Sequence, residues 1–314
     1  MATRRTVRGE LLDGAQLAFE RQGPEHAPVV VVLGGISAGR HVSAHAGVPG
    51  PGWWEGFVGD GLAVDTRRLS VLSIDWLGGN GCSTAPGRGE CLGFVGAEDQ
   101  ADALVELLDR LRIERVHTVI GSSYGGMVGL QLAARHPQRL QQLVAIAAAH
   151  RSHPQASAWR AVQRGIVALG AAAGHEAQAL SLARQLAMTT YRSPQELAAR
   201  FSAAPTFGAH GVSFPVEGWL QARGEAFAAA WTSEQFLCLC SSIDAHLVDP
   251  AAVAAPTTLV SFASDQLVPV ADVRELARAL PRLVRHVELA SPYGHDAFLK
   301  ERSALSRLLR EVLA

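Results

Sequence analysis

Val116-His117-Thr118-Val119-Ile120-Gly121-Ser122-Ser123-Tyr124-Gly125-Gly126-Met127 is the stretch on which the fold of this 314-residue chain turns. Its first five residues are short, mostly β-branched and apolar, the pattern of a strand buried on both faces. Residues 127–135 have helical spacing and stop before Pro137. Between them lies Gly121-Ser122-Ser123-Tyr124-Gly125, a G-x-S-x-G segment on a strand-to-helix turn. That context is the one in which a serine is presented as a nucleophile. The glycines are needed because the turn is strained: a Cβ two residues before or after the serine would strike the backbone. The following helix offers free N–H groups to a developing oxyanion. The competing reading is a Gly-rich turn whose serine caps a helix.

The rhythm extends outward. Upstream, residues 28–33 (Pro-Val-Val-Val-Val-Leu) read as a buried strand ended by Gly34-Gly35, and residues 69–74 as another, ended by the loop Asp75 to Gly81. Residues 98–111 carry apolar side chains at helical spacing, with an acidic start and a basic end. Downstream, residues 143–147 are again strand-like. Residues 151–245 break the alternation; they are rich in Ala, Arg and Gln, with helical periodicity and few β-branched runs. Alternation returns with a strand at 257–262, a helix at 272–280, a strand at 284–289 and a last helix at about 296–313. Strands alternating with helices predict an α/β fold with a doubly wound, mostly parallel sheet. Residues 1–150 and 246–314 form the expected core, and 151–245 a helical lid insertion.

A serine nucleophile needs a base, and the base needs an orienting acid. Asp265 follows the strand at 257–262, and His295 follows the strand at 284–289. Alone, Asp265 could be a helix cap and His295 a surface histidine. Together they follow Ser123 in the order Ser, Asp, His, each at a strand's C-terminal end, where open α/β sheets place their sites. The α/β-hydrolase fold is therefore expected, with Ser123, Asp265 and His295 as catalytic triad. The oxyanion donors expected are the N–H of Tyr124 and one from the loop at Gly35 and Ile36.

Composition narrows the partners. The formal net charge is −1, with 28 Lys and Arg against 29 Asp and Glu. A phosphate-backbone binder would carry a basic excess, so nucleic acid and anionic membrane are not expected as partners. No apolar run of about 18 residues predicts a membrane span, and the N-terminal MATRRTVRGE has no apolar stretch of a secretory signal. Cys82, Cys91, Cys238 and Cys240 form no CxxC pair, and the 12 histidines show no HExxH. Reduced thiols, a cytoplasmic location, no metal and no resident cofactor are the expectations.

Gly52-Trp53-Trp54 and Gly294-His295-Asp296-Ala297-Phe298 are much more specific than G-x-S-x-G, and they stand among several segments that share one pattern. The segments are Leu33-Gly34-Gly35-Ile36-Ser37-Ala38-Gly39-Arg40-His41-Val42, the Gly52-Trp53-Trp54-Glu55 run with Ala63-Val64-Asp65-Thr66, Leu182-Ala183-Arg184 with Thr190-Tyr191-Arg192, Val216 to Leu220, Ser264-Asp265, and Gly294-His295-Asp296-Ala297-Phe298-Leu299. In these the chain resembles the homoserine O-acyltransferases, which esterify an amino-acid hydroxyl from an acyl-CoA. Residues 154–178 and the block after Phe227 depart from the family pattern. The resemblance implies a ping-pong acyl-serine mechanism, acyl-CoA as co-substrate, a place in methionine biosynthesis and a homodimer. It implies Arg184 on the substrate carboxylate, Asp296 on its ammonium, and Tyr191 lining the same pocket. A succinyl donor would want one further cation, for which Arg40, Arg160 and Arg164 are candidates. Homoserine and serine differ by one methylene, worth about 1–3 kcal/mol, so a serine O-acyltransferase stays open. An esterase or thioesterase with the same triad also stays open.

Overall fold

In the computed structural model the described residues are 4–8, 11–12, 14–87, 92–208 and 211–314. Cys91 and residues 1–3, 9 and 10 of the N-terminal stretch lie outside them. The main sheet is built from β1 (Phe19–Gln22), β2 (Val29–Leu33), β3 (Ser70–Ile74), β4 (Val116–Ser122), β5 (Leu140–Ile146), β6 (Thr257–Phe262) and β7 (Leu283–Leu289). Their spatial order is β7-β6-β5-β4-β2-β3-β1. All pairings are parallel except that of β1 with β3. Every residue of β2, β3 and β6 is buried, which is why these runs carry no charged residue. β1 (Phe-Glu-Arg-Gln) was not expected. It is an antiparallel edge strand held by backbone pairing, so its side chains show no hydrophobic run.

Helices cover both faces. α1 (Ala97–Arg110) and α2 (Tyr124–Arg135) pack against one face, with Leu104, Leu108, Val128 and Leu132 fully buried. The other face is covered by α10 (Arg302–Leu313), through Leu305, Leu308 and Leu309, and by Trp54 and Phe57 of the 53–64 loop. The strand order reverses between β2 and β4, so β2's C-terminal Leu33 sits beside Gly121 at the end of β4. α/β sheets bind their ligands at such a switch point.

Between β5 and β6 the chain leaves the sheet for α3 (Pro154–Ala172), α4 (Glu176–Tyr191), α5 (Pro194–Arg200), α6 (Pro215–Ala230) and α7 (Ser233–Asp244). α4 packs between α3 and α6. A short hairpin, Thr206–Gly208 with Gly211–Ser213, precedes α6. The reading of this segment as purely helical did not include it. Phe207 and Val212 are exposed, so no alternation of buried and polar residues marks it. α8 (Val270–Ala279) follows β6. The last helix, expected as one piece, is a 3-10 turn at Gly294–Asp296, α9 (Ala297–Lys300) and α10, with a break at Glu301 (ψ 59°). No helix among the described residues is long and apolar enough to cross a membrane.

Candidate active site

Ser123 sits at φ 54°, ψ −119°, a strained conformation for a residue with a side chain. Its neighbours make that turn possible. A Cβ on Gly121 would lie 2.2 Å from the Gly125 carbonyl oxygen, and one on Gly125 would lie 2.4 Å from the Leu33 carbonyl oxygen. Neither position can hold any residue but glycine. The Ser123 N–H donates to the Ile146 carbonyl at 2.8 Å, and the Gly125 N–H to Gly34 at 2.9 Å, tying the elbow to both neighbouring strands. α2 begins at Tyr124, three residues before the start expected from the Gly-Gly pair, because the turn is already complete at Ser123.

His295 Nε2 is 2.7 Å from Ser123 Oγ, and His295 Nδ1 is 2.7 Å from Asp265 Oδ2. A carboxylate can only accept, so Nδ1 carries the proton and Nε2 is free to accept from the serine hydroxyl. Asp265 is itself fixed: its Oδ1 accepts from the N–H groups of Leu267 (2.8 Å) and Val268 (3.0 Å). Burial alone would push the His295 imidazole down, but the charge and hydrogen bond of Asp265, with the charge of Asp296, hold it above its ordinary value. Gly294, at φ 63°, starts the turn that presents His295, and its N–H donates to Ser264 Oγ at 3.0 Å.

Tyr124 and Ile36, named as sources of oxyanion donors, both line the pocket around Ser123, as does Gly35. The N–H of Tyr124 opens α2 and has no acceptor within the helix. The Gly35 carbonyl accepts from Trp76 Nε1 and from the Ala38 N–H, both at 3.0 Å. The planar trans peptide turns the Ile36 N–H away from those donors. The Tyr124 ring is fully buried; its hydroxyl lies 2.6 Å from Ser242 Oγ of α7, joining the elbow helix to the insertion.

The insertion supplies the rest of the pocket. The Arg184 guanidinium lies over the Tyr191 ring (5.2 Å) and the Phe227 ring (5.0 Å). Among the described residues it has no carboxylate partner. Asp296 reaches the same pocket but is not free: its Oδ2 is 2.9 Å from Arg192 Nη2. Burial pushes its carboxyl up, against the charges of Arg192, His295, Arg184 and Lys300. Arg192 also faces Glu196, itself paired with Lys300. Arg192 had no role in the sequence reading; its place beside Tyr191 was the available signal.

The three candidate extra cations separate clearly. Arg40 is bound by Asp75 and does not line the pocket. Arg160 and Arg164 both pair with Asp244, and only Arg160 lines the pocket. Arg151, which the sequence reading missed, lines it too and pairs with Glu275 at 3.1 Å. Trp53 forms part of the wall, fixed by a bond from its Nε1 to the Gly39 carbonyl at 3.1 Å. Among the described residues no metal-ligating cluster falls in this pocket.

The site can therefore polarise a serine hydroxyl, stabilise an oxyanion and receive an anion beside the nucleophile. Known proteins share this arrangement of fold and sequence. Residues 28–302 match the family described as alpha/beta hydrolase fold. The homoserine O-succinyltransferase of Xanthomonas campestris pv. campestris is 47% identical over 299 residues, covering 95% of this chain and 79% of that protein. The homoserine O-acetyltransferase of Thermobifida fusca is 32% identical over 348 residues, covering 98% of this chain and 90% of that one. The structure of an acetylester hydrolase from Corynebacterium glutamicum superposes with a TM-score of 0.81 at 17% identity, covering 99% of this chain and 93% of that one. That likeness is one of fold alone.

Proposed function

The chain belongs to the homoserine O-acyltransferase family on the α/β-hydrolase fold, and from that premise we propose that it transfers an acyl group from acyl-CoA to the hydroxyl of homoserine through Ser123. His295 Nε2 takes the Ser123 proton, and Oγ attacks the thioester carbonyl. The oxyanion is held by the N–H groups of Tyr124 and Ile36. The tetrahedral intermediate collapses, the CoA sulfur leaves with the proton from His295, and acyl-Ser123 remains. The amino acid then enters, with its carboxylate on Arg184 and its ammonium on Asp296. His295 takes the proton of its hydroxyl, the hydroxyl oxygen attacks the acyl-serine, and the proton returns to Ser123 Oγ.

The observation that carries this reading is Arg184. A guanidinium stacked on two aromatic rings beside the nucleophile, without a carboxylate partner, is arranged to take a planar anion from the substrate. A plain esterase has no use for it. The raised Asp296 carboxyl, only partly compensated by Arg192, favours a second cation nearby, such as the substrate ammonium. Phe227, Trp231 and Phe236 line the lid side and keep water from competing for the acyl-enzyme.

We read the enzyme as cytoplasmic, working in methionine biosynthesis, and as a homodimer; the exposed Phe207, Val212 and Phe214 supply apolar surface for a partner copy. The test of function is thiol release. Purified protein is given acetyl-CoA or succinyl-CoA, with and without homoserine or serine. Thiol release that depends on homoserine supports the transferase. Release at full rate without any amino acid would make it a thioesterase.

A further inference from the structure

Outside the active-site pocket, three side chains meet that the reaction does not use. Glu20 comes from the edge strand β1, and His41 and His45 from the loop that follows β2. His41 Nδ1 is 2.9 Å from Glu20 Oε1, and His45 Nε2 is 3.0 Å from the same oxygen. The three ligand-type atoms all lie within 4.8 Å of one another, and none of the residues lines the active-site pocket. All three are partly buried, with side chains between 13% and 25% exposed, so the charge is neither sealed in nor fully solvated.

The tautomer of His41 is decided by its other nitrogen. Nε2 is 2.7 Å from the Gly50 carbonyl, which can only accept, so Nε2 carries a proton. Nδ1 then turns its lone pair on a carboxylate oxygen unless a cation sits between them. That cation is a second proton or a metal. An imidazole whose far N–H is anchored on a backbone carbonyl is the usual outer arrangement of a metal-ligating histidine. Two imidazole nitrogens and one carboxylate oxygen suit zinc, which binds them at about 2.0–2.2 Å. Ligand atoms around such an ion stand roughly 3.3 Å apart, a few tenths of an ångström beyond the two spacings to Glu20 Oε1.

We propose that Glu20, His41 and His45 form a binding site for a divalent transition metal of the zinc class, with water completing the shell. Binding displaces the proton between His41 and Glu20. It also moves the His45 proton from Nε2 to Nδ1, at the expense of the 3.2 Å bond from the Gly47 N–H, which is exposed and can turn to water. The ion staples residues 39–52 to the sheet edge. That loop places the pocket wall: the Trp53 N–H donates to the His41 carbonyl at 3.3 Å and the Trp54 N–H to Val42 at 2.9 Å. The sequence pattern pointed away from a metal because the third ligand comes from a polar edge strand that no periodicity revealed.

The experiment is a titration of tag-free, metal-stripped full-length protein with Zn²⁺ by calorimetry, with thermal unfolding in parallel. One equivalent binds the unaltered protein and raises its Tm, while Mg²⁺ at the same concentration does neither. His45→Ala and Glu20→Gln each weaken that site at least roughly tenfold and remove the Tm rise. The proposal is overturned if the unaltered protein takes up no Zn²⁺, or if both variants bind it as the unaltered protein does. Glu20→Gln keeps the size and hydrogen-bonding reach of the edge-strand residue, so a folding failure of His45→Ala still leaves the question decided.

Discussion

Replacing Asp265 by Asn removes one charge and almost no volume, and its consequence can be worked through atom by atom. Asp265 Oδ1 takes two backbone N–H groups, from Leu267 and Val268, and Oδ2 takes His295 Nδ1–H. An asparagine has one oxygen. Set against the two backbone donors, it leaves its NH₂ facing His295, and two donors cannot meet. The imidazole must switch tautomer, putting its proton on Nε2, opposite Ser123 Oγ. That nitrogen can then no longer accept the serine proton. The expected loss in kcat is roughly 10⁴-fold, about 5.5 kcal/mol, the size found when such an orienting acid is neutralised in another enzyme. Asp265 also raises the His295 pKa, so the acid limb of kcat/KM lies above the ordinary histidine value and moves down in the variant. Thiol release from acyl-CoA across pH measures both quantities, and an unchanged Tm excludes unfolding as the cause. A variant within tenfold of the parent, or an acid limb that moves up, would refute the reasoning.

Arg184→Gln should raise KM for the amino acid roughly 10- to 100-fold, the worth of a charge-assisted contact, while the first acylation burst is unchanged. A burst lost together with acceptor affinity would show that Arg184 serves the acyl-CoA step instead. Gly125→Ala pushes a Cβ to 2.4 Å from the Leu33 carbonyl oxygen and should cost at least about 3 kcal/mol, read as a lowered urea midpoint. His246 is fully buried, its ring nitrogen on the Ala149 carbonyl, and burial pushes it down from 6.5 to about 4. Below 6.5 the unfolded chain binds a proton that the folded chain refuses, so stability falls as pH drops from 6.5 towards 4. The full loss is about 3 kcal/mol. Urea midpoints measured across that window should flatten in His246→Gln, and an equally steep curve in the variant would assign the loss to other groups.

The parts of this molecule that were legible in the sequence are those whose burial dictates residue type. Val29–Leu33 is wholly apolar and Thr257–Phe262 carries no charge because both strands are buried along their whole length, and Gly121 and Gly125 must be glycine because carbonyl oxygens occupy the space of a Cβ. The chain order of Ser123, Asp265 and His295 followed from the strand ends that hold them. What could not be read depends on backbone pairing or on contacts between distant segments. The Phe19–Gln22 strand pairs through its main chain and needs no apolar face. The described residues of the hairpin, Thr206–Gly208 and Gly211–Ser213, are all exposed. The resemblance put Asp296 on the substrate ammonium without its Arg192 partner, because nothing in the sequence around Asp296 reveals a cation that α4's C-terminal end brings to it.

The central claim is that Ser123 carries the acyl group on its way to an amino-acid hydroxyl. Intact-mass spectrometry after mixing the protein with acyl-CoA alone measures this directly, followed by a chase with homoserine. The account predicts a mass gain of one acyl group on Ser123, absent in Ser123→Ala, that disappears on adding homoserine as the O-acyl amino acid forms. An acyl group that is never found on Ser123, or that is lost to water at the same rate whether or not homoserine is present, would contradict it.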